Sequence, residues 1–464
     1  MKSKQNILAL LTCSILSACS FSGMSAPNIT AQNWTVQSNP SDIESNMPFL
    51  YWWKGYDDEM LNSLVESALA NNNKLNMSRG HIAAAQGELK KVQFQWIPDI
   101  TAVVGYSNNP ATGFPGLLAV LAPNFTLNIF KQFKEQKRAK YELAAAKAED
   151  DAIRLEVIKQ ITAAYFTYLA EVEHKQLLDN LANDISQIEV ISQKIYKGGL
   201  NNNITLSEMN SQVSLIRGEQ EIVEQNIIVS RNVISYLINN TPRDLETNTK
   251  FINLDNKTLI PGQLPMTVLE NRPDMQMAKN ELEASNEGIG ISASNLLPTL
   301  QLDFIGGPVA GNNSYNFPTP LMKNAVDFND ELLQIPLLRA STLGEIDKAK
   351  GLNQISYYKY IDTLQKALRD STNALSANFR FTNKFYRTES AMKSINKKYD
   401  LQYSLYNKGI ISKLDTLQTK LELDRIKITL NQDKLQQMIT TVNLYYELAG
   451  GYKEESVVQN TPKS

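Results

Sequence analysis

The sequence predicts a mainly α-helical protein with a smaller β contribution, and three observations lead to that fold class. Landmark motifs occur twice along the chain, apolar residues recur at the helical period over long stretches, and short alternating segments occur in each half. The composition is that of a folded chain, because 42% of the 464 residues are hydrophobic and 20% are charged. A formal net charge of -2 argues against a large, sequence-independent attraction to nucleic acid.

The internal repeat is the most informative feature of the chain. In each half a helical stretch ends at a proline that precedes a strand candidate, and Pro98 and Pro298 are 200 residues apart. A glycine motif follows in each half, Tyr-Lys-Gly-Gly-Leu at residues 196–200 and Tyr-Asn-Lys-Gly-Ile at 406–410, with an offset of 210 residues. A match in both order and spacing indicates two copies of one structural unit.

Each copy is predicted to contain a long antiparallel helical hairpin of the coiled-coil kind. Apolar residues step by three and four along residues 155–195, 206–237 and 414–442, and a narrow stripe at this period packs helix against helix. Glycine-marked turns would reverse the chain between the paired helices. Polar residues interrupt the stripe, notably Asp424 and Asn431, where leucine is expected; they either fix the register or face water.

Strand candidates in each half suggest two β-hairpins. Residues 124–129 and 300–304 alternate with period two, and residues 101–107 and 331–337 are weaker partners across loops at 108–115 and 306–329 that are rich in Gly, Pro and Asn. Four strands cannot close a barrel, since about eight is the practical minimum. The strands therefore form either a small soluble sheet or a sheet to which several chains contribute.

The N-terminus has the features of an export signal. Lys2 and Lys4 precede an apolar stretch at residues 7–16, which ends in Leu16-Ser17-Ala18-Cys19. This motif resembles the lipobox of bacterial lipoproteins, in which the cysteine thiol receives a diacylglycerol and becomes the new N-terminus. We therefore expect a signal peptide at 1–18 and lipid attachment at Cys19; an ordinary signal peptide with a chance cysteine is the alternative. No later apolar run is long enough for a membrane-spanning helix.

The motifs together resemble outer-membrane efflux proteins of the TolC type, in the lipoprotein branch that is NodT-like or OprM-like. The most specific run is Asn271-Arg272-Pro273-Asp274, which opens the second copy, and Leu-Tyr-Tyr-Glu-Leu-Ala-Gly-Gly at residues 444–451 closes it. The first copy lacks the Arg-Pro-Asp motif and has Asn72-Asn73-Lys74-Leu75 in its place.

The resemblance implies a homotrimer in the cell outer membrane that extends into the periplasm. Each chain would supply four transmembrane β-strands to a twelve-stranded barrel, and helical hairpins to an α-helical periplasmic tunnel. The implied partners are a periplasmic adaptor, an inner-membrane pump and membrane lipid. The resemblance implies no nucleic acid, no enzymatic activity, no metal, and no cofactor besides the covalent lipid on Cys19.

The sequence divides into six segments on this interpretation. They are the signal peptide 1–18, the lipidated segment 19–60, the first repeat 61–240 (strands about 100–130, helical hairpin about 133–239), an equatorial linker 241–270, the second repeat 271–451 (strands about 299–337, helical hairpin about 344–448), and a tail 452–464.

The candidate site residues lie in and beside the two helical turns. In the resembling family these turns form the periplasmic tip, which opens and contacts the adaptor; the corresponding residues are Gly198, Gly199, Leu200, Gly409, Ile410 and Asp415. Glycine also suits a plain chain reversal. Three copies of Asp415 facing one axis would attract cations, whereas an acid at this position also complements the start of a helix.

Other residues have structural interpretations. Pro273 and Asp274 suit the first turn of a helix, and His81 and His174 are expected to face solvent or another helix rather than a metal. The leading functional hypothesis is a passive duct for small molecules such as drugs. A duct for protein or peptide secretion and a coiled-coil structural lipoprotein without a pore are the alternatives.

Overall fold

The computed structural model of the chain describes residues 23–27, 51–107, 116–198, 204–245, 247–254, 267–270, 272–305, 309–311, 328–334, 336 and 339–449. The predicted signal peptide, Cys19, Gly199, Leu200 and the tail 452–464 lie outside these residues. Among the helices described, none is both long and apolar enough to cross a membrane.

The same order of elements occurs twice along the described chain. A 3-10 turn (Trp52–Tyr56) and helix α1 (Glu59–Asn71) precede the first copy, which comprises α2 (Asn73–Phe94), β1 (Asp99–Ser107), β2 (Gly116–Leu127), α3 (Ile129–Lys197) and α4 (Ile204–Leu237). A 3-10 turn (Phe251–Asn253) and α5 (Thr267–Glu270) precede the second, which comprises α6 (Pro273–Ser294), β3 (Thr299–Ile305), β4 (Val309–Gly311), β5 (Phe328–Gln334), α7 (Ala340–Asn407) and α8 (Lys413–Ala449).

The strands form one antiparallel sheet in the order β1-β2-β3-β5. Strand β4 pairs with the start of β2, while β3 pairs with its end, and both pairings keep one register. The two segments thus lie along the same edge of β2, which is why five strands are described where the sequence predicts four. Strands β1 and β5 lie at the two edges of the described sheet.

The boundary between β2 and α3 differs from the sequence prediction. The alternating pattern extends the strand to Ile129, but β2 ends at Leu127 and Ile129 begins α3. Asn128 is the reason: its buried Oδ1 accepts the Lys131 N–H at 3.0 Å, which caps the helix and ends the strand. The prediction of strand structure at Asn128 and Ile129 was therefore wrong.

The second copy shows similar shifts. Strand β5 (Phe328–Gln334) begins inside the predicted loop 306–329. The predicted end of this strand at 337 lies outside the described residues. The long helices α3 and α7 each begin four residues before the predicted start of their hairpins. Short polar or glycine-rich segments show too little periodicity to predict, to within a few residues, where a strand ends or a helix begins.

The described residues divide into two compact units that do not coincide with the two sequence copies. One unit contains residues 23–27 and those within 80–148 and 276–363; the other contains residues within 29–79, 149–275 and 364–464. Each unit therefore takes corresponding segments from both copies, and α3 and α7 contribute residues to both units.

In the first unit, polar contacts join α6 to α3 at the base of the strands. Lys134 on α3 forms an ion pair with Glu287 on α6 at 2.7 Å, and its side chain lies over Gly290, where a Cβ would approach the Lys134 Cε at 3.0 Å. The Asn128 side chain donates to the Ser294 carbonyl at 3.1 Å. These bonds fix where each helix meets its strand.

The second unit has an aromatic core. Trp53, Tyr165, Phe166 and Phe251 are buried together in one apolar cluster. The Tyr165 hydroxyl donates to Asp58 at 2.9 Å, and the other carboxylate oxygen of Asp58 caps α1 by accepting the Leu61 N–H at 2.9 Å. Burying the hydroxyl is thereby compensated by a hydrogen bond.

A buried arginine, Arg272, links the start of the second sequence copy to its end. The Arg272 guanidinium donates to both carboxylate oxygens of Asp274, at 3.1 and 3.0 Å, and to the Glu447 side chain and carbonyl at 2.5 and 2.9 Å. Burial disfavours the charged form, but Asp274 and Glu447 outweigh it and raise the pKa of Arg272 above its ordinary value. The Arg-Pro-Asp motif is therefore a structural element in which Pro273 begins α6.

We expect Arg272→Met to lower the free energy of unfolding by about 3 kcal/mol, because it removes a buried cation and leaves the half-buried Glu447 without its partner. Arg369→Met is the matched control, since Arg369 pairs with Asp370 on the surface and such pairs contribute about 0–1 kcal/mol. Thermal unfolding in detergent, followed by circular dichroism, measures both. Equal losses in the two variants would show that the Arg272 pair has no special structural role.

Candidate functional site

The turn between α7 and α8 has a defined backbone geometry. Helix α7 ends at Asn407, and Gly409 follows with a φ of 73°. The Gly409 N–H donates to the Tyr406 carbonyl at 2.8 Å and the Ile410 N–H to the Leu405 carbonyl at 3.0 Å. This pair of bonds is a Schellman motif, which uses a left-handed residue and favours glycine there. Ile410 is left 64% exposed next to it.

Asp415 takes part in the start of α8. Its carboxylate accepts the Ser412 hydroxyl at 2.7 Å and the Ser412 N–H at 3.3 Å, and the Asp415 N–H donates back to the Ser412 Oγ at 3.1 Å. This reciprocal pattern is a capping box. The acid therefore stabilises the turn whether or not it also faces a pore, and it is exposed in the single chain.

The turn between α3 and α4 is described only in part. The Gly198 N–H donates to the Lys194 carbonyl at 3.1 Å, ending α3, and α4 begins at Ile204. Gly199 and Leu200 lie outside the described residues. The position that matches Asp415 is Thr205, so the two turns differ in charge already in the sequence.

An apolar cluster lies behind these turns. It joins α3, α4 and α8 through buried residues spaced at three, four and seven positions, namely Leu178, Leu181, Ile185, Ile188, Ile216, Val223, Leu417 and Leu421. The heptad pattern predicts these positions. The cluster fixes both hairpin ends in one bundle.

Two buried carboxylates interrupt this cluster. Asp184 on α3 forms an ion pair with Lys420 on α8 at 2.6 Å, and Asp424 lies one turn further along α8, 3.6 Å from the Lys427 ammonium. Burial, together with a hydrogen bond and repulsion from Asp184, raises the pKa of Asp424 to about 6. Asp424 is one of the two polar interruptions in the predicted stripe, but its partner Asp184 cannot be identified from sequence spacing.

A small cavity adjoins the acid pair. Its volume is about 160 Å³, and Asp184, Lys420 and three tyrosines of α7 (Tyr399, Tyr403 and Tyr406) line it. Its size and polar lining suit a few water molecules.

Four exposed aromatic residues, here called the aromatic rim, lie where α2 precedes β1 and where α3 follows β2 in the first unit. Phe94 and Trp96 at the end of α2 are 54% and 38% exposed, and Phe130 and Phe133 at the start of α3 are 46% and 52% exposed. Exposed aromatic residues grouped in this way are typical of a membrane–water interface. Sequence periodicity misses the rim because its residues come from two helices.

Helix α4 carries a second exposed apolar surface. Leu215, Ile222, Val229 and Tyr236 are each seven residues apart and are 71%, 63%, 48% and 64% exposed. A stripe with a seven-residue repeat normally packs against another helix. Within the single chain this stripe remains open to solvent.

The candidate metal ligands in the described part of the chain are the two histidines and the acidic side chains. The described residues contain no group of three or more His, Cys, Asp or Glu side chains that is placed to hold a metal ion. His174 is buried, with Glu171 and Glu219 each 3.5 Å from one of its ring nitrogens, and His81 is exposed. These placements agree with interhelical and solvent-facing histidines.

The Asp424 environment predicts a pH-dependent stability. Because the folded-state pKa is about 6 against an ordinary 3.8, the folded state binds the proton more tightly. The contribution of Asp424 to the free energy of unfolding is therefore largest below about pH 4, and it is lost as the pH rises through 6. Lowering the pH from 7.5 to 5 should therefore raise the contribution of this site by on the order of 1 kcal/mol.

Asp424→Asn should flatten that dependence, because the amide is neutral at every pH. Glu422→Gln is the matched control, since it removes an exposed acid of the same helix that pairs with Lys398; it should retain the wild-type slope. Thermal unfolding between pH 5 and 7.5 distinguishes the variants. An unchanged slope in Asp424→Asn would assign the dependence to other groups.

Comparison with known proteins agrees with the fold. A family model described as outer membrane efflux protein matches residues 264–451. The probable efflux pump outer membrane protein TtgC of Pseudomonas putida is 22% identical over 433 residues, which cover 89% of this chain and 87% of that protein. The pyoverdine export outer membrane protein OpmQ of Pseudomonas aeruginosa is 20% identical, over 98% of both chains.

Solved structures share the fold over nearly the whole chain. The Campylobacter jejuni CmeC outer membrane channel superposes with a TM-score of 0.80 at 19% identity, covering 94% of this chain and 96% of that one. The open state of the Neisseria gonorrhoeae MtrE outer membrane channel gives a TM-score of 0.76 at 18% identity, covering 92% and 98%. The family match over residues 264–451, the relatives that align along most of the chain and the shared fold agree: this chain is similar to outer membrane efflux proteins and has the fold of outer-membrane efflux channels.

Proposed function

We propose that this chain is the outer-membrane exit duct of a tripartite efflux pump, which passively conducts small molecules from an inner-membrane pump and a periplasmic adaptor to the exterior. The observation that carries the proposal is agreement along nearly the entire length with outer-membrane efflux proteins and channels. The described site residues fit a conduit, since they form turns, helix caps and packing surfaces rather than a catalytic arrangement.

The sheet and its rim are the part proposed to enter the membrane. On β1, Ile100 and Val104 lie on one face and are 70% and 78% exposed, and the aromatic rim lies where the strands begin. An apolar outer face next to an aromatic girdle is the pattern of outer-membrane strands. Because β1 and β5 are edges, the proposal requires them to pair with other chains, and three chains with four strands each would close a twelve-stranded barrel.

The exposed stripe on α4 is proposed to pack against a second copy of this chain. Its strict seven-residue spacing matches the spacing of the buried stripes in the same bundle, so an identical helical bundle offers a complementary surface. A homotrimer arranged around one axis would cover the stripe and assemble the helices into a tunnel. A structural spacer would use the stripe but leaves the sheet and its rim unexplained.

The turns are proposed as the periplasmic tip that contacts the adaptor and opens. This assignment covers Gly198, Gly199, Leu200, Gly409, Ile410 and Asp415. It is supported, where the residues are described, by the exposure of Ile410 beside the Schellman turn. Cys19 is proposed as the lipid attachment site, and the six-segment division of the chain is retained with it.

We expect the purified protein to form ion-conducting channels in planar bilayers that favour cations. Asp415→Asn should lower the ratio of cation to anion permeability toward unity, because it removes the carboxylate charge of every copy while the amide oxygen can still accept from Ser412. Reversal potentials in asymmetric salt measure this ratio.

Glu422→Gln serves as the control, because it removes an exposed acid of the same helix at a distance from the turn. It should leave the permeability ratio unchanged. Equal ratios in wild type and Asp415→Asn would exclude a role for Asp415 in selectivity. A protein that inserts into the bilayer and never conducts would contradict the duct itself.

A further inference from the structure

The described N-terminal residues 23–27 are bonded through their backbone to two asparagines of the first unit. The Gly23 N–H donates to Asn286 Oδ1 on α6 at 2.7 Å, and the Met24 N–H donates to Asn353 Oδ1 on α7 at 2.7 Å. The Asn353 side chain also donates to the Met24 carbonyl at 3.5 Å and to Ser285 Oγ at 3.2 Å. One carboxamide thus binds both backbone groups of Met24 and joins the two helices.

The position of Gly23 accepts no larger residue. A Cβ there would lie 2.3 Å from Asn353 Oδ1 and 2.7 Å from the Ile289 Cδ1 atom. Asn353 is only 2% exposed and Ile289 is fully buried, so neither neighbour has room to move away. The close approach of the peptide to α6 and α7 therefore depends on glycine.

The helices form a built site for this peptide. A buried carboxamide needs hydrogen-bond partners, and Asn353 obtains its donor from a residue 329 positions away in the sequence. The Met24 side chain is 43% exposed, so recognition is by backbone and by the small size of Gly23.

We propose that α6 and α7 form a binding site, the receptor, for the backbone of residues 23 and 24. The receptor holds the lipid-attachment residue at a fixed level along these two helices. This inference rests on the acylation of Cys19 proposed above. Three residues lie between Cys19 and Gly23, and the four Cα-to-Cα steps from one to the other span at most about 14 Å. The lipidated residue is therefore confined to the neighbourhood of the receptor.

The length of this linker matches a distance along α6. Asn286 lies eight residues before Ser294, where α6 ends, and eight helical residues rise about 12 Å. The greatest span of the linker thus exceeds this rise only slightly, which allows Cys19 to reach the level at which α6 ends and β3 follows. The receptor and the linker together limit how far the acyl chains lie from Gly23, so that the chains enter the bilayer where the strands begin. We call this limit the ruler.

The receptor is tested with a nitroxide spin label at Ser25→Cys, next to the bonded residues and exposed. In the protein that also carries Cys13→Ser and Cys19→Ser this is the only thiol, because the sequence has no other cysteine. We expect an immobilised spectrum. Asn353→Leu and Gly23→Val should each raise the ratio of mobile to immobile signal by about tenfold, because hydrogen bonds are lost or sterically blocked.

Gly351→Ala is the matched control on α7, since a Cβ there meets open space, and it should leave the spectrum unchanged. Gly23→Val alters only the peptide and so remains informative if Asn353→Leu impairs folding. A label that is mobile in the parent protein, or that stays immobilised in Gly23→Val, would overturn the receptor.

The ruler is tested by deleting Ser20 and Phe21 in the acylated protein in phospholipid vesicles. The shortened linker cannot satisfy membrane and receptor together, so the Ser25→Cys label should become mobile. The same deletion in Cys19→Ser should stay immobilised. An immobilised label in the acylated deletion would overturn the ruler. A mature chain whose mass lacks the lipid would overturn the proposed acylation while the Cys19→Ser measurement still decides the receptor.

Discussion

The structure depends above all on one constraint, which is that backbone N–H and C=O groups need hydrogen-bond partners. The described sheet runs β1-β2-β3-β5 and so leaves two edges. In water such edges can bond to solvent, but in hydrocarbon each unsatisfied group costs several kcal/mol. A chain that places this sheet in a membrane is therefore incomplete alone, and the proposed assembly of copies follows from that constraint.

The helices of the second unit show the same incompleteness. The stripes on α3 and α8 find partners in one buried cluster, whereas the stripe of Leu215, Ile222, Val229 and Tyr236 on α4 is left exposed. By contrast, the buried guanidinium of Arg272 is bonded within the chain, to Asp274 and Glu447. One chain thus forms its own core when it folds. The sheet edges and the α4 stripe stay exposed and are suited to assembly with other copies.

The sequence predicted what depends on periodicity and repetition, namely the two copies, the long helices and the strands that follow Pro98 and Pro298. It failed at Ile129, where the capping side chain of Asn128 overrides an alternating pattern. Contacts between distant residues, such as Asp184 with Lys420 or Gly23 with Asn286, leave no trace in spacing. The role of Asp415 in capping could be predicted from the sequence, because a serine three residues before an acid is a helix-start signal.

Native mass spectrometry of the detergent-solubilised protein tests the central claim most directly. The proposed duct predicts a particle of three chains. The open sheet edges and the exposed α4 stripe predict that no single-chain species is stable under conditions that preserve the fold. A folded particle of one chain that still conducts ions in a bilayer would contradict the account, because it would show that a single copy satisfies its own edges.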